Sequence, residues 1–296
     1  MKLIADSGST KTDWVCINAD NSIQPVEAHT VGLNPFHMSD DEFRQVLVRD
    51  LLTQLGDVEV TDVYFYGSGV RPEVEECVTG LLREVFPAAQ TIEAHSDMLG
   101  AARALCGRTS GIACILGTGA NSCVYDGQKI IHNTPALGYI IGDEGSGAVL
   151  GKHLIHDIYT GVLSQRVRNM FEQETKLKLS DIIDKVYRQP QPNRFLASFS
   201  EFIHRHLDDD GIREMVYSAF SDFVNLHLSR YGRPELPVSF VGSIAWYYQA
   251  QLSLVLQTLG YHVGTILKSP LEGLITYHQD SKSLVHVQAL NFEVGC

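Results

Sequence analysis

The chain has 296 residues, of which 44% are hydrophobic and 20% charged, and a formal net charge of −12. That length predicts two domains with full cores, and the composition lacks the polar bias of a disordered chain. The acidic balance argues against nucleic acid or an anionic membrane as partner, because a phosphate surface is bound by a basic face; a small anion can still bind locally.

Residues 2–5 and 13–17 read as strands around Gly8, and a third apolar stretch ends before Gly32, which predicts a three-stranded meander. Ser39 and Glu42 form a capping box for a helix in which Phe43, Val46, Leu47, Leu51 and Leu55 recur until Gly56 stops them. Residues 63–66 form a strand running into Gly67-Ser68-Gly69, and Pro72 opens a helix carrying Val74, Val78, Leu81 and Val85. A strand at 91–94 and a helix at 98–105 follow, with Asp97 between them at a strand's carboxyl edge. The order so far is βββαβαβα.

At residue 111 the pattern restarts: an apolar strand at 111–116, a Gly117-Thr118-Gly119 turn, and a strand at 122–125. A shift of 111 sets Ile4 on Ile115, Ser7 on Thr118 and Gly8 on Gly119, which predicts an internal duplication. Residues 160–236 read mostly as helix, with apolar periodicity at 181–187, 195–206 and 212–228. Asp208-Asp209-Asp210 before Gly211 fits a solvated turn and helix start. A strand at 238–241 then meets Gly242, with Ser243 as candidate N-cap of a helix at 245–259, an arrangement suited to a nucleotide's adenosine. Residues 269–277 read as a short closing helix, and 281–296 carry no recognisable role.

Six cysteines (Cys16, Cys77, Cys106, Cys114, Cys123, Cys296) show no CxxC pair, and the five internal ones lie in apolar or Gly-rich contexts expected of reduced buried thiols. Together with the absence of a secretory leader in residues 1–20 and of any run near ~18 apolar residues, this predicts a cytoplasmic protein. The pairs His153/His156 and His204/His206 lack Cys or carboxylate partners at metal spacing, so a His-based metal site is not expected.

The stretch IADSGSTKTDW at 4–14 sets Gly8 among small hydroxyl residues, where backbone N–H groups can face an anion; a tight hairpin remains the alternative. It is not a P-loop, because Lys11 follows Thr10 rather than a glycine. Phosphoryl transfer to a hydroxyl needs two backbone cradles, a divalent metal and a carboxylate that takes the hydroxyl proton. Asp6 precedes the first cradle, Gly117-Thr118-Gly119-Ala120-Asn121 can form the second, and Asp97 can be the base. In Gly142-Asp143-Glu144-Gly145-Ser146-Gly147, two adjacent carboxylates before a helix starting near Ala148 are placed to bind sugar hydroxyls or hydrated magnesium. Taken singly, Asp143 and Glu144 can equally be acids of a helix's first turn, and Asp97 a simple N-cap.

DSGSTKTDW at 6–14, HSDMLGAARAL around Asp97, LGTGAN at 116–121, GDEGSG at 142–147 and FVGSIA at 240–245 stand in the order found in the BadF/BadG/BcrA/BcrD ATPase family, and most resemble its N-acetylglucosamine kinase branch. The resemblance spans nearly all of residues 2–278. It implies an α/β chain of two ribonuclease-H-like domains, the actin-like ATPase fold, around a nucleotide cleft. The domains would be 1–107, with the closing helix 269–279 packing back on it, and 108–268 with a helical insertion. It implies ATP and Mg2+ as cofactors and a hydroxyl of N-acetylglucosamine or a related amino sugar as acceptor. Asp97 matches the catalytic base and Asp6 the carboxylate that holds magnesium through water. Ser7, Gly8, Ser9, Thr10 and Lys11 resemble the first phosphate loop, Gly117, Thr118 and Gly119 the second, and Gly242 and Ser243 the adenosine loop. Asn34, Asn121, Asp143 and Glu144 fall at sugar-pocket positions.

In one departure, the family's glycine-rich GGWG-like stretch before GDEGS is replaced by Pro135-Ala136-Leu137-Gly138-Tyr139. Two other readings share the fold: an ATPase activator of a 2-hydroxyacyl-CoA dehydratase with an iron–sulfur cluster, and a non-catalytic sugar sensor. The expected partners are small molecules without nucleic acid or membrane, with a homodimer left open.

Overall fold

The computed structural model describes residues 1–8, 11–18, 20 and 23–279. The chain divides into two compact units, one of Met1–Thr109 with the segment that begins at Pro270, the other of Ser110–Ser269.

In the first unit, β1 (Lys2–Ser7), β2 (Lys11–Ile17) and β3 (Ile23–Val31) form the meander, followed by α1 (Asp40–Val46), α2 (Leu52–Leu55), β4 (Asp62–Gly67), α3 (Pro72–Val85), β5 (Thr91–Ser96) and α4 (Asp97–Cys106). The sheet order is β3-β2-β1-β4-β5, antiparallel through the meander and parallel across β1, β4 and β5. Strand alternation divides β1 between two cores. Leu3 and Ala5 join Trp14, Phe43 and Phe65 on one face, whereas Ile4 joins Val15, Ile17 and Tyr66 on the other. Ser39 closes its capping box with Glu42. Between α1 and α2 the chain makes a π turn at Leu47–Leu51, which the helical spacing does not announce. Phe43, Leu47, Leu51 and Leu55 are four residues apart, a spacing that drifts about 40° per step on an ideal helix, and the wider turn absorbs that drift.

The second unit repeats the plan with β6 (Gly111–Leu116), β7 (Ala120–Tyr125) and β8 (Ile130–Thr134), then a helical block. The block comprises α5 (Gly147–Thr160), α6 (Gln165–Thr175), α7 (Leu179–Tyr187), α8 (Pro192–Ser198), α9 (Ser200–Arg205) and α10 (Asp210–Leu226). β9 (Pro237–Val241), α11 (Ser243–Tyr247), α12 (Gln249–Thr258) and β10 (His262–Leu267) complete it. Its sheet, β8-β7-β6-β9-β10, has the same order and the same strand senses as the first.

The duplication is present, but two residues away from the shift read in the sequence. Gly67 pairs with Ser7. Val241 pairs with Ile115, which brings Gly242 level with Leu116. Matching these glycines sets Ser7 on Leu116 and Gly8 on Gly117, a shift of 109 by 116 − 7. A slip of two keeps every side chain on its face, so apolar alternation alone cannot tell the two shifts apart. With the correct shift Asp6 corresponds to Ile115, so only the first unit carries an acid there.

The closing segment forms α13 (Leu271–Gln279), whose Leu274 and Ile275 complete the core of Ile4, Val15, Ile17 and Tyr66. Arg103 Nη1 donates to Tyr66 Oη at 2.7 Å, and that hydroxyl lies 2.9 Å from Nε2 of buried His278. Burial, reinforced by the charge of Arg103, pushes the His278 pKa down to about 3. Below the unfolded value of 6.5 the unfolded chain takes up a proton that the folded one refuses, so stability falls as pH drops from 6.5 toward 3. At pH 4.5 the loss is about 3 kcal/mol. His278→Gln is expected to flatten that part of the acid slope, read from urea midpoints between pH 7 and 4.5; an unchanged slope would show that His278 is not the group responsible.

Candidate active site

The carboxyl ends of β1, β4 and β5 lie side by side in the first unit. Asp6 pairs with Tyr66 and Tyr66 with His95, and one residue on, Ser7 with Gly67 and Gly67 with Ser96. Asp97 is therefore the first residue past the edge. Ser96 takes the N-cap, its Oγ accepting from Leu99 N at 3.2 Å, so the N-cap alternative for Asp97 is removed. Asp97 Oδ1 accepts from Met98 N at 2.8 Å. Burial raises the Asp97 pKa against the opposing Met98 hydrogen bond. Asp6 is raised to about 7, by burial first and then by the charges of Asp97 and Asp13, with Lys11 opposing.

Asp13, which the sequence reading did not single out, stands opposite Asp6 across the hairpin. It holds Lys11 Nζ at 2.7 Å and His29 Nδ1 at 2.8 Å. Pairing β1 with β2 around the Gly8 turn would have revealed it. Gly8 N donates to Lys11 O at 3.0 Å, closing the turn. The Ser7 hydroxyl points inward: it lies 2.8 Å from Thr12 Oγ1 and accepts from Leu33 N at 2.9 Å. Ser7 thus anchors the loop and offers no side chain to a phosphate. Ser9 and Thr10 lie outside the described residues. Asn34 is buried, and its Oδ1 accepts from Phe36 N at 2.9 Å, which leaves its Nδ2 hydrogens as the donors it can present.

In the second unit, α5 begins under the 117–119 turn. Gly147 N donates to Gly117 O at 2.8 Å and Ala148 N to Thr118 O at 3.1 Å, while Gly117 N turns back onto Gly119 O at 3.0 Å. The carbonyls of Gly117, Thr118 and Gly119 are thereby taken up, and among the described residues the N–H groups of Thr118 and Gly119 donate to no backbone carbonyl. An anion facing them would complete the turn. Asp143 and Glu144 precede the N-cap Ser146, so they are not acids of the helix's first turn. Asp143 is buried at φ 59°, and the Ala120 and Gly138 N–H groups favour its ionised form. Burial nevertheless raises its pKa, with Glu144 adding and His227 opposing. A Cβ at Gly119 would lie 2.9 Å from Asp143 Oδ2, so the glycine makes room for this carboxylate.

Asn121 Oδ1 accepts from Ser122 N at 2.9 Å and from Asn133 Nδ2 at 3.0 Å, which turns its own amide N–H groups outward. Asn133 gave no sequence signal, since it sits in an otherwise exposed edge strand. Glu144 Oε2 lies 2.8 Å from Nε2 of His227, a second residue the sequence reading absorbed into helical periodicity. In the stretch from Pro135 to Tyr139, Tyr139 O is held by Lys152 Nζ, 3.2 Å away. Gly242, at φ 126°, abuts the strand that leads into the 117–119 turn. It occupies the N-cap position without a side-chain cap, and Ser243 is the first helical residue, so the expected Ser243 cap is not formed. The helix expected at 245–259 is two helices, broken at Tyr248.

Among the described residues no three His, Cys, Asp or Glu side chains converge to hold a metal. A magnesium ion held by one carboxylate, water and phosphate oxygens fits this donor set, and the carboxylates of Asp6, Asp97 and Asp13 against one lysine supply the charge that favours a divalent cation. No described helix is long and apolar enough to cross a membrane.

No family model matches the chain, and no curated protein does. Among solved structures, a candidate N-acetylglucosamine kinase from Porphyromonas gingivalis is 45% identical with a TM-score of 0.90, over 95% of this chain and 100% of that one. A second candidate N-acetylglucosamine kinase, from Chromobacterium violaceum, is 16% identical with a TM-score of 0.71, over 93% and 98% of the two chains. A ROK family glucokinase from Streptomyces griseus, solved with glucose and AMPPNP, shares the fold at 12% identity and a TM-score of 0.56, over 95% and 99%. With both sheets in the order of the actin-like ATPase fold and this identity along nearly its whole length, the chain belongs to the family of the Porphyromonas gingivalis candidate N-acetylglucosamine kinase.

Proposed function

We propose that the chain is an ATP-dependent sugar kinase that transfers the γ-phosphoryl group to a hydroxyl of N-acetylglucosamine or a related amino sugar. The observation that carries this reading is Asp97: a half-buried carboxylate at the carboxyl edge of β5, within electrostatic reach of Asp6 and held by the Met98 N–H, with its pKa raised by burial. Asp97 takes the proton of the acceptor hydroxyl as its oxygen bonds to the γ-phosphorus. The bond from that phosphorus to the β,γ-bridging oxygen breaks, and ADP leaves.

Gly8, Ser9, Thr10 and Lys11 contact the phosphates, with Ser7 anchoring their loop, and so do the Thr118 and Gly119 N–H groups behind Gly117. Gly242 and Ser243 line the adenosine. Asn34, Asn121, Asp143 and Glu144 hold the sugar. Asp6 would hold a magnesium ion through water, and the ion would supply charge neutralisation to the phosphates.

A coupled ADP-release assay over a panel of amino sugars and simple hexoses tests the reading. Release stimulated by amino sugars well above the sugar-free rate is expected. Sugar binding without added ADP release would mark the chain as a sensor, and indifference to every sugar would end the proposal.

A further inference from the structure

The loop carrying Asp143 and Glu144 rests on α10. Gly145, at φ 75°, stands so close to Phe223 that a Cβ there would lie 3.0 Å from Phe223 Cβ. One helical turn on, the ring of His227 stacks on Phe223, with centroids 5.0 Å apart and planes 23° apart. His227 is 5% exposed. Its Nε2 lies 2.8 Å from Glu144 Oε2, and its buried Nδ1 has no hydrogen-bond partner among the described residues. The Glu144 side chain keeps 28% of its surface against 7% for His227.

A carboxylate only accepts, so Nε2 carries the hydrogen, and Nδ1 is left buried with no partner among the described residues. A phenylalanine at 227 would fill the same volume, stack on Phe223 and strand no polar atom, so in stability terms the histidine is the poorer residue. What it adds is one directed N–H. Burial raises the Glu144 pKa, and the His227 hydrogen bond, first among several opposing contributions that include Glu144's own N–H and the charge of Lys152, turns the net shift downward, so the acid stays ionised.

We propose that His227 is a positioning residue for acceptor recognition, fixing Glu144 from beneath in one rotamer so that its exposed remainder meets a sugar hydroxyl. The inference rests on the kinase reading above and adds to it that the helical block, through Phe223 and His227, sets the acceptor side of the site. An ionised carboxylate presented this way accepts from hydroxyls and repels phosphate, so its effect belongs to the sugar and not to ATP.

The test uses the full chain, with His227→Phe as the isosteric variant lacking the donor and His227→Gln as the variant that keeps one. Steady-state KM is measured for N-acetylglucosamine and for ATP, and deuterium uptake is followed in the peptide covering residues 138–147 without ligands. His227→Phe is expected to fold normally, raise the sugar KM about ten-fold, leave the ATP KM within about two-fold and speed uptake in that peptide. His227→Gln restores the sugar KM to within about three-fold, and adding Glu144→Gln to His227→Phe has little further effect. An unchanged sugar KM in His227→Phe, a parallel rise for ATP, or unchanged uptake overturns the proposal. If the parent protein releases ADP with no acceptor, the kinase reading fails, and uptake in the 138–147 peptide alone upholds or overturns the positioning role.

Discussion

Asp97→Asn is expected to lower kcat by about 10²- to 10⁴-fold, the usual worth of a general base, while the KM for ATP stays within about three-fold of the parent's. The carboxamide has the shape of the carboxylate, and its oxygen can still accept from Met98 N, so the start of α4 is preserved. It cannot take a proton from a hydroxyl at neutral pH. The same substitution separates catalysis from stability. Burial holds the Asp97 pKa above its ordinary value in the folded chain, so ionising it costs stability as pH rises from the unfolded carboxylate range through the folded pKa. The variant is therefore more stable than the parent at pH 8, and the difference closes toward pH 4.

The Asp6 pKa, now raised to about 7 partly by Asp97, falls in the variant because one of the two carboxylates acting on it is gone. A slow enzyme of equal or greater stability, with Asp6 titrating lower, is the expected combination. Turnover near the parent's would remove Asp97 from the chemistry, and a large loss of stability at pH 8 would show that its carboxylate is a structural partner.

How far the sequence reveals this molecule depends on whether a feature is local. The capping box at Ser39, Pro72 opening α3 and the helix start at Asp208-Asp209-Asp210, where Asp209 takes the cap of α10, are read within a few residues, and all three elements form. β10 escaped because its alternation is broken at Gly264, where the register with β9 slips between Val263 and Ile266 and no face is fully buried. The two-residue error in the repeat has a similar origin: strands carry a period of two, so only hydrogen-bond register distinguishes a shift of 111 from one of 109.

In the site, residues on glycine-rich turns stood out, because few other reasons exist for such runs. Their supports did not. Asp13, Asn133 and His227 act through pairing across a hairpin, a sheet edge and a helix 83 residues away from Glu144, and none lies in a pattern of its own. Ser7 shows the converse: a hydroxyl in a phosphate-like sequence is spent on Thr12 and Leu33.

Gly242→Ala should be the most damaging single-methyl change among the proposed nucleotide contacts of the second unit. At φ 126° and ψ 164° the backbone lies where L-residues are strained, a cost of about 1–3 kcal/mol. The added Cβ would also stand 2.2 Å from Leu116 O, 2.7 Å from Leu116 C and 3.2 Å from Gly117 N. All three are backbone atoms of β6 and the turn after it, and none can swing aside as a flexible side chain would. Strain and forced displacement together amount to roughly 3–5 kcal/mol. Because the displaced atoms lead into the Gly117-Thr118-Gly119 turn, ATP affinity should fall with stability in whatever fraction still folds.

Gly260→Ala supplies the control, since it shares a positive φ of 82° but meets nothing within 4 Å, and should cost only about 1 kcal/mol. Urea unfolding followed by the fluorescence of Trp246, with Trp14 replaced by Phe so that only the second unit reports, measures both. Equal losses at 242 and 260 would mean that the close approach of Gly242 to Leu116 is not present in solution. A much larger loss at 242 places the end of β9 hard against the end of β6, the packing on which the proposed nucleotide contacts of the second unit depend.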